Sequence, residues 1–307
     1  MKALRFHEYG GPEVLRIEDA PMPEPGAGEV LVRVSGSGIN PVDWKVREGE
    51  MKDQMPLEFP QTVGWEFSGT VERLGDGVEG FEVGDDVYGI CHTGTCADYA
   101  VAKVGTFAKA PPTMDLPDAG GIPLAALTAW QGLFDQGGLG SGQKVLILAA
   151  TGGVGTFAVQ FAHWAGATVY ATGSSNRLDT VRELGADYPI DYKAQKPEDI
   201  VQDCDLVLDL VGGDTAKSAL TCLKPGGVLV STVFSSLNDE AQKSEKTAKD
   251  FMMDPKPDQL TKIGELIGDL KVRPVIDAVV PFIRAVEAQK EVQEGHVMGK
   301  MVVDVRR

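Results

Sequence analysis

Residues 144–166 read KVLILAATGGVGTFAVQFAHWAG. Val145, Leu146, Ile147, Leu148 and Ala149 form an unbroken apolar run, the pattern of a strand buried on both faces of a parallel sheet. Ala150-Thr151-Gly152-Gly153-Val154-Gly155 follows, and then Phe157, Ala158, Phe161, Ala162 and Ala165 recur at helical spacing. Strand, glycine turn and helix in that order suit a dinucleotide pyrophosphate. The backbone can come close to the phosphates, and the helix N-terminus offers unpaired N–H groups and the positive end of its dipole. The G-x-G-x-x-G spacing is incomplete, because Ala150 stands where the first glycine would be. Gly152 still allows close backbone approach and Gly155 close helix–strand packing. Gly152, Gly153, Val154 and Gly155 are therefore the candidate phosphate-binding residues.

Downstream, Thr168–Thr172 is expected to be the second strand. An NAD site places an acid about 20 residues past the fingerprint to hold the ribose 2′-OH. This strand ends instead in Gly173-Ser174-Ser175-Asn176-Arg177. An acid would repel a 2′-phosphate, whereas Ser174, Ser175 and Arg177 can bond to it. A serine here can also cap a helix, and the two roles are compatible. NADP(H) is the expected cofactor.

Tyr188–Tyr192 reads as a third strand and Cys204–Val211 as a fourth. A helix over Thr215–Leu223 and a strand over Val228–Val233 come next. This alternation supports a doubly wound parallel sheet. Val211 and Phe234 stand at strand ends, where open sheets bind ligands. Asn238 to Asp258 is polar and reads as surface structure, a flap. Leu260–Leu270 reads as an amphipathic helix.

The first 120 residues read as β-rich, with strands over Glu29–Ser35, Phe67–Leu74, Asp86–Ile90 and Ala97–Ala102 separated by Gly and Gly-Asp turns. A small barrel is their natural assembly. Asp115 to Phe134 carries one helical pattern.

Of the 307 residues, 43% are apolar and 24% charged, a soluble globular balance. No apolar run approaches the roughly 20 residues of a membrane span. The opening residues lack a signal-peptide apolar core. Four cysteines make no disulfide scaffold, so a cytoplasmic location is expected. A net charge of −16 argues against nucleic-acid binding, and it means that a polyanionic cofactor needs local positive charge.

Several motifs in order resemble the medium-chain dehydrogenase/reductases, the zinc-free quinone oxidoreductase branch most closely. They are Gly11-Pro12-Glu13-Val14-Leu15, Gly38 to Asp43, Val83-Gly84-Asp85, Leu127-Thr128-Ala129, Gly152 to Gly155, Leu184-Gly185-Ala186-Asp187, Ile190-Asp191-Tyr192, and Gly295 to Lys300. The resemblance implies an α/β fold with a Rossmann NADP(H)-binding domain over 121–270. A discontinuous GroES-like β-barrel domain would take 1–120 and 271–307. It implies that Asn40 and Asp43 border the nicotinamide or line the pocket, although both residue types also serve in turns. Thr128 would lie near the nicotinamide, or bond its own i−4 carbonyl. Tyr192 would contact the adenosine phosphate.

Zinc-binding relatives carry a cysteine ligand where this chain has Asn40 and a histidine where it has Trp65, and neither residue here is a zinc ligand. Cys91 and Cys96 read as small packing residues rather than a metal site. Lys300 lies in a family motif, where a role near the cofactor is one reading, but a lone lysine is expected on the surface. The implied activity is hydride transfer from NADPH to a quinone or an α,β-unsaturated carbonyl, without metal. An enoyl-thioester reductase, or a non-catalytic, crystallin-like NADPH-binding protein, is the alternative. A homodimer is implied by family habit. No general acid is identifiable.

Overall fold

In the computed structural model, which describes residues 1–306, the apolar run forms the strand Lys144–Ile147. Ala149 turns out of it with φ of 52°, a left-handed conformation that starts the glycine turn. Thr168–Gly173, Tyr188–Asp191, Cys204–Asp209, Leu223–Ser231 and Thr247–Asp250 complete a six-stranded sheet paired in parallel throughout. Numbered by chain order within the sheet, the strands lie 3-2-1-4-5-6. That is the doubly wound order, which reverses between Lys144–Ile147 and Cys204–Asp209. Val145, Leu146, Ile147, Val207 and Leu208 are fully buried, so both faces of the central strands are covered.

The polar segment after Asn238 departs from the expected flap. Thr247–Asp250 pairs with Leu223–Ser231 as the outermost strand. Only Ala248 of its four residues is buried, so the apolar alternation that reveals a strand is missing. Asp115 to Phe134 is likewise not one helix. It divides into Leu116–Ala119, Pro123–Trp130 and a π-helical stretch, Gln131–Gln136. Gly120, Gly121 and Pro123 interrupt the backbone ladder between the first two.

The chain groups into two compact units. Ala125–Asp254 with Asp269–Val275 holds the parallel sheet; Met1–Leu124, Pro255–Gly268 and the chain from Ile276 onward form the other. Helix Pro257–Gly268, placed with the nucleotide half by the boundary at 270, groups with the β-rich unit. Within that unit Tyr88 Oη donates to Leu260 O at 2.6 Å. An amphipathic pattern shows that a face is buried, not which sheet buries it.

The β-rich unit contains a seven-stranded sheet. Its order is Ile276–Pro281, Lys300–Asp304, Glu29–Gly38, Glu66–Leu74, Asp86–Ile90, Phe107–Lys109, and Tyr99–Lys103 also pairs with Glu29–Gly38. A three-stranded sheet of Arg16–Asp19, Lys2–Phe6 and Gln61–Thr62 accompanies it. Val30, Val32, Val34, Phe67, Val87 and Met301 belong to the core of this unit. Glu29–Gly38 is antiparallel to both of its sheet neighbours Lys300–Asp304 and Glu66–Leu74. The end of the middle strand therefore lies beside the starts of the other two, and Gly38, Lys300 and Glu66 meet there.

Candidate active site

That meeting point is a polar cluster inside the β-rich unit. Glu66 is fully buried and Lys300 is 3% exposed, with Lys300 Nζ 2.7 Å from Glu66 Oε1. Lys300 Nζ also donates to Ile39 O at 2.9 Å and to Asn40 Oδ1. Asn40 Nδ2 donates to Glu66 Oε1 at 2.8 Å, and the Leu124 N–H donates to Glu66 Oε2 at 2.8 Å. Buried charge is tolerable only when paired and hydrogen-bonded, and both conditions hold here. Gly38 is required beside it, because a Cβ there would lie 2.2 Å from Glu66 Oε1 and 2.6 Å from Gly120 O.

Asn40 is also the N-cap of helix Pro41–Arg47. Asp43, three residues on, reaches back so that its Oδ2 accepts the Asn40 N–H at 2.8 Å. Asp43 lines a cavity of about 120 Å³ with Val46, Met55, Leu57, Trp65 and His92 among the other walls. The rings of Trp65 and His92 meet edge to face with centroids 5.0 Å apart. Burial pushes the Asp43 carboxyl up from 3.8 to about 7, against the Asn40 N–H, Lys300 and the Gln289 side chain, which favour the anion. In the unfolded chain the same carboxyl loses its proton near 3.8, so between 3.8 and about 7 the native state binds more protons. Its contribution to stability is therefore present at low pH and is lost as pH rises through that window. Chemical denaturation across this range is expected to show a fall that Asp43→Asn abolishes; an identical slope in the variant would disprove it.

In the other unit, the glycine turn leads into helix Gly153–Trp164 with Gly152 as N-cap in an extended conformation. A Cβ at Gly155 would lie 2.4 Å from Ala149 O, so this glycine is what lets the helix close on the strand. Only Ala149 O comes within 4 Å of a Cβ on Gly152, so the backbone there stays open to a ligand. Ser174 follows strand Thr168–Gly173, and Ser175–Arg177 forms a short 3-10 turn. Ser174 Oγ pairs with Asn176 Oδ1 at 2.9 Å. Tyr192, Val211 and Phe234 follow the ends of the third, fourth and fifth strands, and all three are exposed. The glycine turn, Ser174, Ser175, Arg177, Tyr192, Val211 and Phe234 thus collect along the C-terminal edge of one sheet. Thr128 is buried within helix Pro123–Trp130.

Three side chains acquire roles that sequence reasoning did not assign. Glu66 follows Trp65 in the sequence and drew no reading of its own, and Lys300 was expected on the surface. Glu66 opens strand Glu66–Leu74, where nothing local marks it as buried, and its partner is 234 residues away. Asp209 is the third. Its Oδ1 accepts the N–H groups of Val211 and Gly212 at 2.9 and 2.8 Å, and its Oδ2 accepts the hydroxyls of Ser231 and Ser235 at 2.7 and 2.6 Å. It ties the fourth strand end to the fifth and holds the loop that carries Val211.

Residues 26–121 match the model described as the alcohol dehydrogenase GroES-like domain, and residues 184–303 the one described as zinc-binding dehydrogenase. An NADPH-dependent alkenal/one oxidoreductase of Arabidopsis thaliana is 33% identical over 99% of this chain and 79% of the relative. A chloroplast envelope quinone oxidoreductase homolog from the same plant is 31% identical over 99% of this chain and 98% of the relative. The structure of the quinone oxidoreductase from Coxiella burnetii superposes with a TM-score of 0.93 at 33% identity, covering 100% of this chain and 99% of that one.

The second family description implies a zinc ion, and the residues present do not fit one. The oxygens that converge in the cluster, Ile39 O, Asn40 Oδ1 and Glu66 Oε1, are taken up by the Lys300 ammonium. Among the described residues no group of three His, Cys, Asp or Glu side chains is arranged to hold a metal. The GroES-like and doubly wound folds and the near full-length relatives agree on one conclusion: the chain is an oxidoreductase that belongs to the medium-chain dehydrogenase/reductase superfamily, among its quinone oxidoreductases and enone reductases.

Proposed function

We propose that the enzyme uses NADPH, without zinc, to reduce a quinone or an α,β-unsaturated carbonyl. The observation that carries the cofactor choice is the end of the second strand, where two serines and an arginine stand in place of an acid. The phosphorylated cofactor is also the one named for the Arabidopsis alkenal/one oxidoreductase. Gly152 to Gly155 hold the pyrophosphate at a helix N-terminus. Ser174, Ser175 and Arg177 take the 2′-phosphate, Tyr192 lies on the adenosine side, and Val211, Phe234 and Thr128 bound the remainder.

The bound dinucleotide supplies hydride. The cavity beside Trp65 and His92 takes the apolar acceptor and limits its water. With both ends of its amide engaged by Glu66 and Lys300, Asn40 acts by positioning the loop that walls this cavity. Asn40→Ala is expected to lower kcat about 10-fold at saturating NADPH with cofactor affinity kept, in line with the cost of displaced positioning groups. Unchanged turnover would remove Asn40 from the mechanism.

The deciding experiment screens benzoquinone, a simple enone and a crotonyl thioester with NADPH, with and without a chelator. Oxidation of NADPH by the first two, indifferent to the chelator, is the expected result. Preference for the thioester would make the enzyme an enoyl-thioester reductase. Activity lost to chelation and regained with zinc would overturn the metal-free reading.

A further inference from the structure

Three buried side-chain atoms among the described residues have no hydrogen-bond partner: Asp43 Oδ1, Arg47 Nη1 and Gln289 Oε1. All three stand where helix Pro41–Arg47 packs on helix Ala285–Gln293. Asp43 and Arg47 lie one turn apart on the first helix, and Gln289 and Gln293 one turn apart on the second. Arg47 Nη2 donates to Gln293 Oε1 at 2.9 Å. The Gln289 side chain, 2% exposed, lies against the Asp43 carboxyl.

Asp43 Oδ1 is left with no donor although it is buried, a position that a neutral carboxyl tolerates better than an anion. Because Oδ2 already accepts the Asn40 N–H, the hydrogen of the neutral carboxyl belongs on Oδ1. The Gln289 amide favours the anion and leaves its own Oε1 buried and unpaired.

The surroundings act in both directions. Lys300 and the Gln289 side chain favour the carboxylate and Glu66 the acid, Lys300 and Glu66 from the two strands flanking Glu29–Gly38. The neighbouring Cys96 thiol is itself pushed up by burial and by Asp43. His92, across the cavity, is driven toward its neutral form by burial and adds no compensating cation. Burial prevails, and the carboxyl keeps its proton to about 7.

We propose that Asp43 is the proton donor of the reaction: its carboxyl hydrogen passes to an acceptor seated in the cavity that it lines beside Trp65 and His92. The inference rests on the oxidoreductase reading above and supplies its missing acid. The hydride brings an electron pair from the reduced dinucleotide, which leaves the acceptor as a quinol monoanion or an enolate. The Asp43 O–H bond breaks and an O–H bond forms on the quinol, or a C–H bond on the enolate carbon. The carboxylate left behind takes a proton back from water, so protons and electrons balance over the cycle.

Asp43→Asn is the natural probe, because its amide oxygen can still accept the Asn40 N–H while the side chain has no acidic proton to give. Wild-type kcat for benzoquinone should fall above the Asp43 titration and carry a solvent deuterium isotope effect. In the variant kcat should drop about 100-fold and lose both signatures, with NADPH binding by fluorescence retained. Infrared difference spectra should show a protonated-carboxyl stretch on the acid side of the titration that the variant lacks. Undiminished kcat in Asp43→Asn, or a spectrum without that band, overturns the donor role. Wild-type protein that oxidises NADPH with no acceptor overturns the oxidoreductase reading instead, and the wild-type control separates the two failures.

Discussion

Replacing Lys300 with methionine is expected to cost about 3 to 5 kcal/mol of unfolding free energy, the usual loss when one partner of a buried ion pair is removed. The substitution keeps the volume of the side chain and deletes its charge, so packing changes contribute little. It leaves the Glu66 carboxylate fully buried, facing only the Asn40 amide and the Leu124 N–H. It also strips Asn40 Oδ1 and Ile39 O of their shared donor. The double variant Lys300→Met, Glu66→Gln should recover most of the loss, since no uncompensated charge then remains. Urea unfolding of the wild type, both single variants and the double variant closes the cycle. A Lys300→Met loss under about 1 kcal/mol would mean that the pair behaves as an exposed one and the ammonium is no substitute for a metal.

Arg177→Ala should weaken NADPH binding about 10- to 100-fold and leave NADH nearly untouched. Hydrogen bonds to a charged group contribute about 1.5 to 3 kcal/mol each, and the 2′-phosphate is the only group that distinguishes the two cofactors. The effect is sharpened by the protein's own field. With a net charge of −16, a doubly charged phosphate meets background repulsion that local cations must offset. Raising ionic strength should therefore narrow the difference between wild type and variant. Paired fluorescence titrations with NADPH and NADH at two salt concentrations measure this. Equal losses for both cofactors would refute the 2′-phosphate assignment.

How much of this was legible in the chain depended on the range of the signal. The glycine turn announces itself within six residues, since close approach to a phosphate and to a neighbouring strand is a local requirement met only by missing side chains. The cluster at Lys300 is the opposite case. Asn40 was singled out, but no charge or apolar pattern near Lys300 distinguishes it from a surface lysine. Its burial follows from where strand Lys300–Asp304 docks, beside Gly38. The strand Thr247–Asp250 escaped notice for a related reason. At a sheet edge one backbone flank is enough for pairing, and polar side chains are tolerated on both faces.

By itself the sequence determined the parallel sheet, the glycine turn and the absence of an acid at the second strand's end, because each is written in consecutive residues whose backbone needs are local. Only the tertiary structure decided that an ammonium fills the oxygen cluster of the β-rich unit and that Asp43 faces Gln289. Charge pairing and desolvation act through space, between groups that chain order keeps more than 200 residues apart.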